Sequence, residues 1–345
     1  MAVYMLPKKL EGNKYIELLV ESLERRDLPV KSFNREAVVR IGRGDVFHIH
    51  WPSYYYTGKN AAMTAAKSAL FVLLLVYLRL RGAKIVWTVH NVWPHQTGET
   101  GWNRFMRKLL CRFCSRLIVM GDSVKAELVR HFKADESKIV RVPHGHYGGV
   151  YGSKGTNVRA RFGIPEEDYL FLFVGQISPY KGLDHLVPSF KRMRDRHTHL
   201  LIAGKPSSDF DRSLLADCGE GVHLHLDFVP DEELADYVRG ADAVVLPYRK
   251  ITTSGTAILA ASYCRPVVAP DLGLLKDYLT PDIAILYDPG KPDALAAAMA
   301  EIKERRDEFR SEDRYARILR DLDWHSVSRT MLDVYGTPAQ VMTCP

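Results

Sequence analysis

Gly175 closes the apolar run YLFLFV, and after a short loop Lys181-Gly182 opens a segment of helical period. A glycine lets a phosphate group approach the backbone closely, and a lysine beside it neutralises the charge. The loop is no Walker motif, and the GxG at Gly42 to Gly44 precedes a strand instead of following one. A second stretch, RKITTSGTAILAASYCRPVVAP at 249–270, reads as a strand-exit loop, a helix and a buried strand. Arg249 and Lys250 lead into Thr252, Thr253, Ser254, Gly255 and Thr256, with no carboxylate between Asp242 and Asp271. Cations, hydroxyls and the free amides of a helix N-terminus favour an anion. The alternative is ordinary N-capping by Thr253 or Ser254.

Groups able to move a proton crowd the first half. His48, His50, His90, His95, His144 and His146 stand in or just after its apolar runs. Strand alternation in VFHIHW puts His48 and His50 on one face. Asp122, after RLIVMG, is the one carboxylate similarly placed, though it could equally cap the helix beginning SVKAEL. Cys111 and Cys114 form a single CxxC without a second ligand pair, and their spacing puts both thiols on one helix face, as core packing requires. Asp209-Phe210-Asp211 runs into a helix and reads as N-terminal helix charge. No metal site is expected.

The elements that must position these residues alternate throughout. VYML, VKSF, VFHIHW, KIVWTVHN, RLIVMG and KIVRVPHG are strands in the first half, with YLFLFVGQ, HLLIAGKP, VHLHLDFV, DAVVLPY, RPVVAP and AILYDP in the second. Helical periods such as NKYIELLVESLERR lie between them, the pattern of doubly wound parallel sheets, so two Rossmann-like units in tandem are predicted. Between them GHYGGVYGSKG, 145–155, has the composition of a hinge.

The 345 residues, 46% hydrophobic and 26% charged, suit a globular protein of two domains. The apolar part of MAVYMLPKK is too short for a signal peptide, and five cysteines, an odd number, argue for a reducing compartment. Residues 1–163 carry 27 Lys and Arg against 12 Asp and Glu, and the remainder 21 against 29. A basic half can serve nucleic acid, an anionic membrane face or a phosphate-bearing acceptor. Without a nucleic-acid motif, the membrane is favoured. AAMTAAKSALFVLLLVYLRLR, 61–81, is a candidate for that contact, its uninterrupted apolar run being too short to cross a bilayer. The commoner reading of such a run is a helix buried against the sheet.

In order and spacing, LFLFVGQISPYKGLDHLVPSF, HLLIAGKP, LHLDFVPDEELADYVRGADAVVLPY, RPVVAPDLG and AILYDPG resemble the C-terminal domain of GT-B glycosyltransferases, family 4 in particular, from about residue 170 to 300. DVFHIHWP, KIVWTVHN, the Asp-Ser after RLIVMG and IVRVPHGHY resemble the N-terminal half more loosely. DLDWHSVSRTMLDVYG, with Trp324, is similar to the final helix of that fold. The resemblance implies an α/β GT-B fold, two Rossmann-like domains facing across a cleft. Residues 1–150 would bind the acceptor, 156–310 the nucleotide sugar, and 311–335 would cross back to the N-terminal domain.

Carried over by residue, the resemblance assigns Gly175 and Lys181 to the diphosphate loop, with Gln176 where the family usually has arginine. Gly204 and Lys205 match the turn after the second strand, and Phe228-Val229 the loop that meets the base. Retaining members place two glutamates across the next helix; aligned on Pro266, those positions hold Leu259 and Ile251. Neither accepts a hydrogen bond. Lys250, Thr253, Ser254, Gly255 and Thr256 are therefore expected to hold the donor diphosphate, and an inverting displacement is favoured. Its general base would be Asp122 or His90, with Asn13, His50 and His144 on the acceptor side. The implied function is sugar transfer from a UDP- or GDP-sugar to a polyprenyl-diphosphate-linked saccharide in bacterial exopolysaccharide or lipopolysaccharide synthesis. The expected enzyme is metal-independent, without nucleic acid, cytoplasmic and peripheral at the inner face of the membrane. A catalytically silent nucleotide-sugar-binding scaffold is the alternative.

Overall fold

Each of the twelve apolar runs contains a strand in the computed structural model, which describes residues 1–10, 12–94, 97–251 and 254–336. The chain divides into two units, Met1–Gly145 with the stretch from Leu322 onward, and His146–Asp321.

In the first unit β1 (Val3–Leu6), α1 (Lys14–Glu24), β2 (Val30–Ser32), α2 (Arg35–Arg40), β3 (Val46–Ile49) and α3 (Ser53–Tyr56) come first. Then follow α4 (Ala61–Leu80), β4 (Lys84–Thr88), α5 (Gly101–Phe113), β5 (Arg116–Val119), α6 (Asp122–Phe132) and β6 (Ile139–Arg141). The second unit holds α7 (Val158–Arg161), β7 (Tyr169–Val174), α8 (Leu183–Met193), β8 (Thr198–Ala203), β9 (Val222–His225), α9 (Asp231–Gly240) and β10 (Ala243–Val245). It continues with α10 (Gly255–Ser262), β11 (Val267–Pro270), α11 (Leu275–Tyr278), β12 (Ala284–Tyr287), α12 (Ala294–Glu304), α13 (Arg306–Phe309) and α14 (Asp313–Asp321). Last, α15 (Trp324–Tyr335) belongs to the first unit and packs on α1.

Both sheets are wholly parallel. The first has the order β2-β1-β3-β4-β5-β6 and the second β12-β11-β10-β7-β8-β9. Strands buried on both faces read as continuous apolar runs; all six residues of β7 and all four of β3 and β11 are buried. In each sheet the winding reverses once, between β1 and β3 in the first and between β7 and β10 in the second. Ligands of open α/β sheets bind outside the carboxyl ends of the strands at that reversal.

The helix α4 is not buried as a whole. Ser68, Phe71, Leu75 and Leu78 form its buried stripe, while Leu70, Leu73 and Leu80 are exposed. Hydropathy alone favoured burial, but one sheet face covers only one side of a helix, and here the far side is apolar as well.

Candidate active site

At the reversal of the second sheet, the exits of β7, β8 and β10 converge. Gly175 leaves β7 at φ +126° and Gly204 leaves β8 at φ +148°. A Cβ on Gly204 would fall onto the carbonyl oxygen of Gly175, so only glycine fits there. The two loops then run side by side: Ile177 N–H donates to the Lys205 carbonyl at 3.0 Å, and Ser207 N–H to that of Ile177 at 2.7 Å. The side chains of Gln176 and Lys205 are left exposed on this paired edge.

The β10 exit is tied to the same place. A Cβ on Gly182, at φ +72°, would strike the carbonyl of Pro247, and Arg249 N–H donates to the Tyr180 carbonyl at 2.9 Å. These contacts bring Lys181 over Tyr248, its Nζ 3.7 Å from the ring centroid, a cation–π geometry. Tyr248 is 1% exposed. Its part was not visible in the sequence, where a tyrosine after an apolar strand looks like core.

Ser254 is the N-cap of α10, its Oγ accepting from Ala257 N–H at 3.1 Å. The oxygen thus caps the helix, as the capping alternative had it, while its O–H and the first amides of α10 remain donors that favour an anion. Thr256 Oγ1 comes to 3.8 Å of the position a Cβ on Gly175 would take, which joins α10 to the β7 exit. Gly255 packs against Tyr147. The Arg249 guanidinium is bonded to the Asp184 carboxylate in the first turn of α8, whereas Lys250 is exposed. Thr252 and Thr253 lie outside the described residues. Phe228 is 66% exposed beside a buried Val229, an aromatic face offered to solvent at the β9 exit.

The first unit gathers its histidines into one buried cluster. His48, His50, His90 and His144 are all buried, and the rings of His48 and His50 lie 4.3 Å apart, on one face as their spacing requires. His48 is held at both nitrogens, Nε2 at 2.7 Å from Thr88 Oγ1 and Nδ1 at 2.8 Å from the Tyr335 hydroxyl. His50 Nδ1 lies 3.0 Å from His90 Nε2, so one ring supplies the proton and the other the lone pair. Trp51 stacks on His90 at 4.4 Å, and Tyr15 meets both His90 and His144. His144 Nδ1–H donates to the Gly145 carbonyl at 2.7 Å. Burial lowers His48 and His90 to about 3 and His144 to about 4, and holds His50 well below its ordinary value. Tyr15, Tyr335 and Thr88 were missed from the sequence because the pairing is set by the fold; α15 delivers Tyr335 from the far end of the chain.

Asp122 stands differently. It is the first residue of α6, with Gly121 at the cap position, and its exposed carboxylate accepts from Arg141 Nη1 at 3.1 Å. An accessible carboxylate at a strand exit can take a proton from an arriving hydroxyl, whereas the His90 imidazole is buried, paired with His50 and covered by Trp51. Asn13 is the N-cap of α1, its Oδ1 accepting from Ile16 N–H at 3.2 Å. His95 lies outside the described residues. Burial pushes the Cys111 thiol up to about 12 and Cys114 well above its ordinary value, as inert core cysteines.

Comparison with known proteins gives the family and the fold. Residues 155–318 match the family described as glycosyl transferases group 1, and residues 16–146 match glycosyltransferase family 4. The chain is 30% identical over 343 residues to a GDP-mannose:glycolipid 4-beta-D-mannosyltransferase of Xanthomonas campestris pv. campestris, covering 94% of this chain and 89% of that one. It is also 30% identical over 343 residues to a D-inositol 3-phosphate glycosyltransferase of Xylanimonas cellulosilytica, covering 92% and 79%. Among solved structures, sucrose-phosphate synthase from Thermosynechococcus elongatus superposes with a TM-score of 0.74 at 18% identity, covering 97% of this chain and 95% of that one. Anabaena HepE in complex with UDP gives 0.74 at 13%, covering 98% and 100%. These structural likenesses establish the fold.

Proposed function

Because the chain belongs to the group 1, family 4 glycosyltransferases of GT-B fold, we propose that it moves mannose from GDP-mannose to a lipid-linked saccharide, with inversion at the anomeric carbon. Membership in a family of enzymes sets aside the silent scaffold. The main support for the substrates is the mannosyltransferase relative, whose similarity runs through both units. GDP-mannose carries mannose in the α configuration and that relative's name gives a β product, which is an inversion.

The residues fit a single displacement. In the second unit Gly175 and Gly204 let a diphosphate approach the backbone, while Lys181 and the amides of α10 stabilise the charge that grows on the departing nucleotide. Phe228 offers a face to the base. Leu259, buried in α10, and Ile251 leave this unit without the acidic pair that retaining relatives use. In the first unit Asp122 accepts the proton of the acceptor hydroxyl, and Arg141 keeps its carboxylate oriented. The histidine cluster shapes the acceptor side, His50 and His90 as a hydrogen-bonding pair. A polyprenyl diphosphate would carry the acceptor, and the basic first half would hold the enzyme at the inner face of the cell membrane.

The test is product analysis. The full chain is incubated with a panel of GDP- and UDP-sugars and a polyprenyl-diphosphate-linked saccharide, and the new linkage is read by NMR. A β-mannoside from GDP-mannose is expected; an α-linked product sinks the inverting assignment, and transfer from a different donor alone sinks the choice of mannose.

A further inference from the structure

We propose that α4 and α5 of the first unit form a bilayer-docking face, whose apolar side chains enter the interfacial layer while basic residues around them meet anionic head groups. The inference rests on the lipid-linked acceptor and names the surface that reaches it.

The face is the wrong one for water. On a surface helix the side opposite the core is polar. On α4 the buried stripe is Ser68, Phe71, Leu75 and Leu78, yet the opposite side presents Leu70 at 67%, Leu73 at 63% and Leu80 at 83% exposure, with Met63 and Val76 also exposed. Beside it α5 exposes Trp102 and Phe105, their rings 5.8 Å apart. Trp102 Nε1–H donates to Ser68 Oγ at 3.2 Å, which ties the first turn of α5 to α4. An indole with its N–H satisfied and its ring exposed suits the level of the head groups.

The helix lies on the membrane and does not cross it. It has the length and composition of a membrane span, but it is fastened to its own unit at both ends. Lys67 Nζ donates to the Thr57 carbonyl at 2.7 Å and Ser68 Oγ to the Tyr56 carbonyl at 2.8 Å; at the other end Arg81 bonds the carbonyls of Ile41 and Val39. Crossing would strip Phe71, Leu75 and Leu78 from the core.

Charge selects the occupant. Between residues 46 and 121 the sequence has ten Lys and Arg and a single carboxylate, Glu99, which is paired with Arg104. Next to Phe105 a groove of about 480 Å³ has Leu109 in its wall and Lys108, Arg112, Lys133 and Lys138 around it, against one carboxylate, Asp135. A neutral protein partner would have no use for so one-sided a field, whereas an anionic lipid surface matches it.

The experiment is co-sedimentation of the full chain with phosphatidylcholine vesicles, with and without phosphatidylglycerol at about three lipids in ten. Binding to the anionic vesicles is expected, with Trp102 fluorescence quenched by brominated acyl chains and the quenching lost in Trp102→Phe. Leu73→Ser with Leu80→Ser, checked for an unchanged melt, weakens binding at least about tenfold, and Lys108→Gln with Arg112→Gln removes much of its salt dependence. Absence of binding, binding untouched by the leucine pair, or self-association of the lipid-free chain that the leucine pair abolishes each overturns the proposal. Turnover on a short-chain soluble acceptor is followed in parallel. Lost vesicle binding with turnover intact overturns the face alone, and vesicle binding without any sugar transfer leaves the face supported and counts against the function.

Discussion

Lys181 Nζ rests 3.7 Å from the centroid of the Tyr248 ring, and among the described residues it makes no ion pair. Its charge is therefore held in place by an aromatic face and left free for an anion. Lys181→Ala is expected to weaken GDP binding about ten- to a hundredfold, the worth of one charge-assisted hydrogen bond. Tyr248→Leu, which removes the support and keeps the charge, should cost less. Calorimetric titration with GDP measures both, and equal affinity in Lys181→Ala and the parent would remove Lys181 from the diphosphate site.

Gly204 sits against the Gly175 carbonyl at a φ that side chains rarely adopt. Gly204→Ala must therefore push the β8 exit away from the β7 exit, at a cost of about 2 kcal/mol or more. A lowered melting temperature with lost GDP affinity is expected. A variant that melts and binds like the parent would mean that the two loops do not need this approach.

What could be read from the sequence was what is local in it. Twelve strands were legible because Val, Ile and Leu fill both faces of a parallel sheet, and Gly175 and Lys181 were legible because a single loop carries both. Contacts set by strand order were not: nothing near Lys181 names Tyr248, and nothing near His48 names Tyr335. Arg249 read as a free cation because Asp184, which holds it from the first turn of α8, is distant in sequence from the β10 exit loop. An apolar run such as α4 gives the amount of greasy surface but not which side the sheet covers, so its exposed leucines emerged only with the fold.

The buried histidines give stability a signature in acid. Each of His48, His90 and His144 binds its proton more weakly folded than unfolded, with values of about 3, 3 and 4 against an ordinary 6.5. Between those limits the unfolded chain takes up more protons, so stability is full above pH 6.5 and falls as pH drops toward 4. The loss by pH 5.5 is roughly 1 kcal/mol per ring. Thermal melts from pH 8 to 5 should fall off below 6.5, ahead of the carboxylate range. A flat melting temperature down to pH 5 would mean that the cluster is open to water.

Asp122 and His90 are distinguished as base by what each substitution leaves standing. The Asp122 carboxylate is exposed at the start of α6 and oriented by Arg141, whereas His90 is buried, paired with His50 and stacked under Trp51. Asp122→Asn keeps the shape and removes the basic oxygen, so kcat should fall about a hundredfold or more with GDP affinity unchanged. His90→Asn should mainly raise the acceptor KM, since it disturbs a hydrogen-bonding pair and leaves the proton acceptor in place. The assignment falls if Asp122→Asn retains parental kcat while His90→Asn loses it.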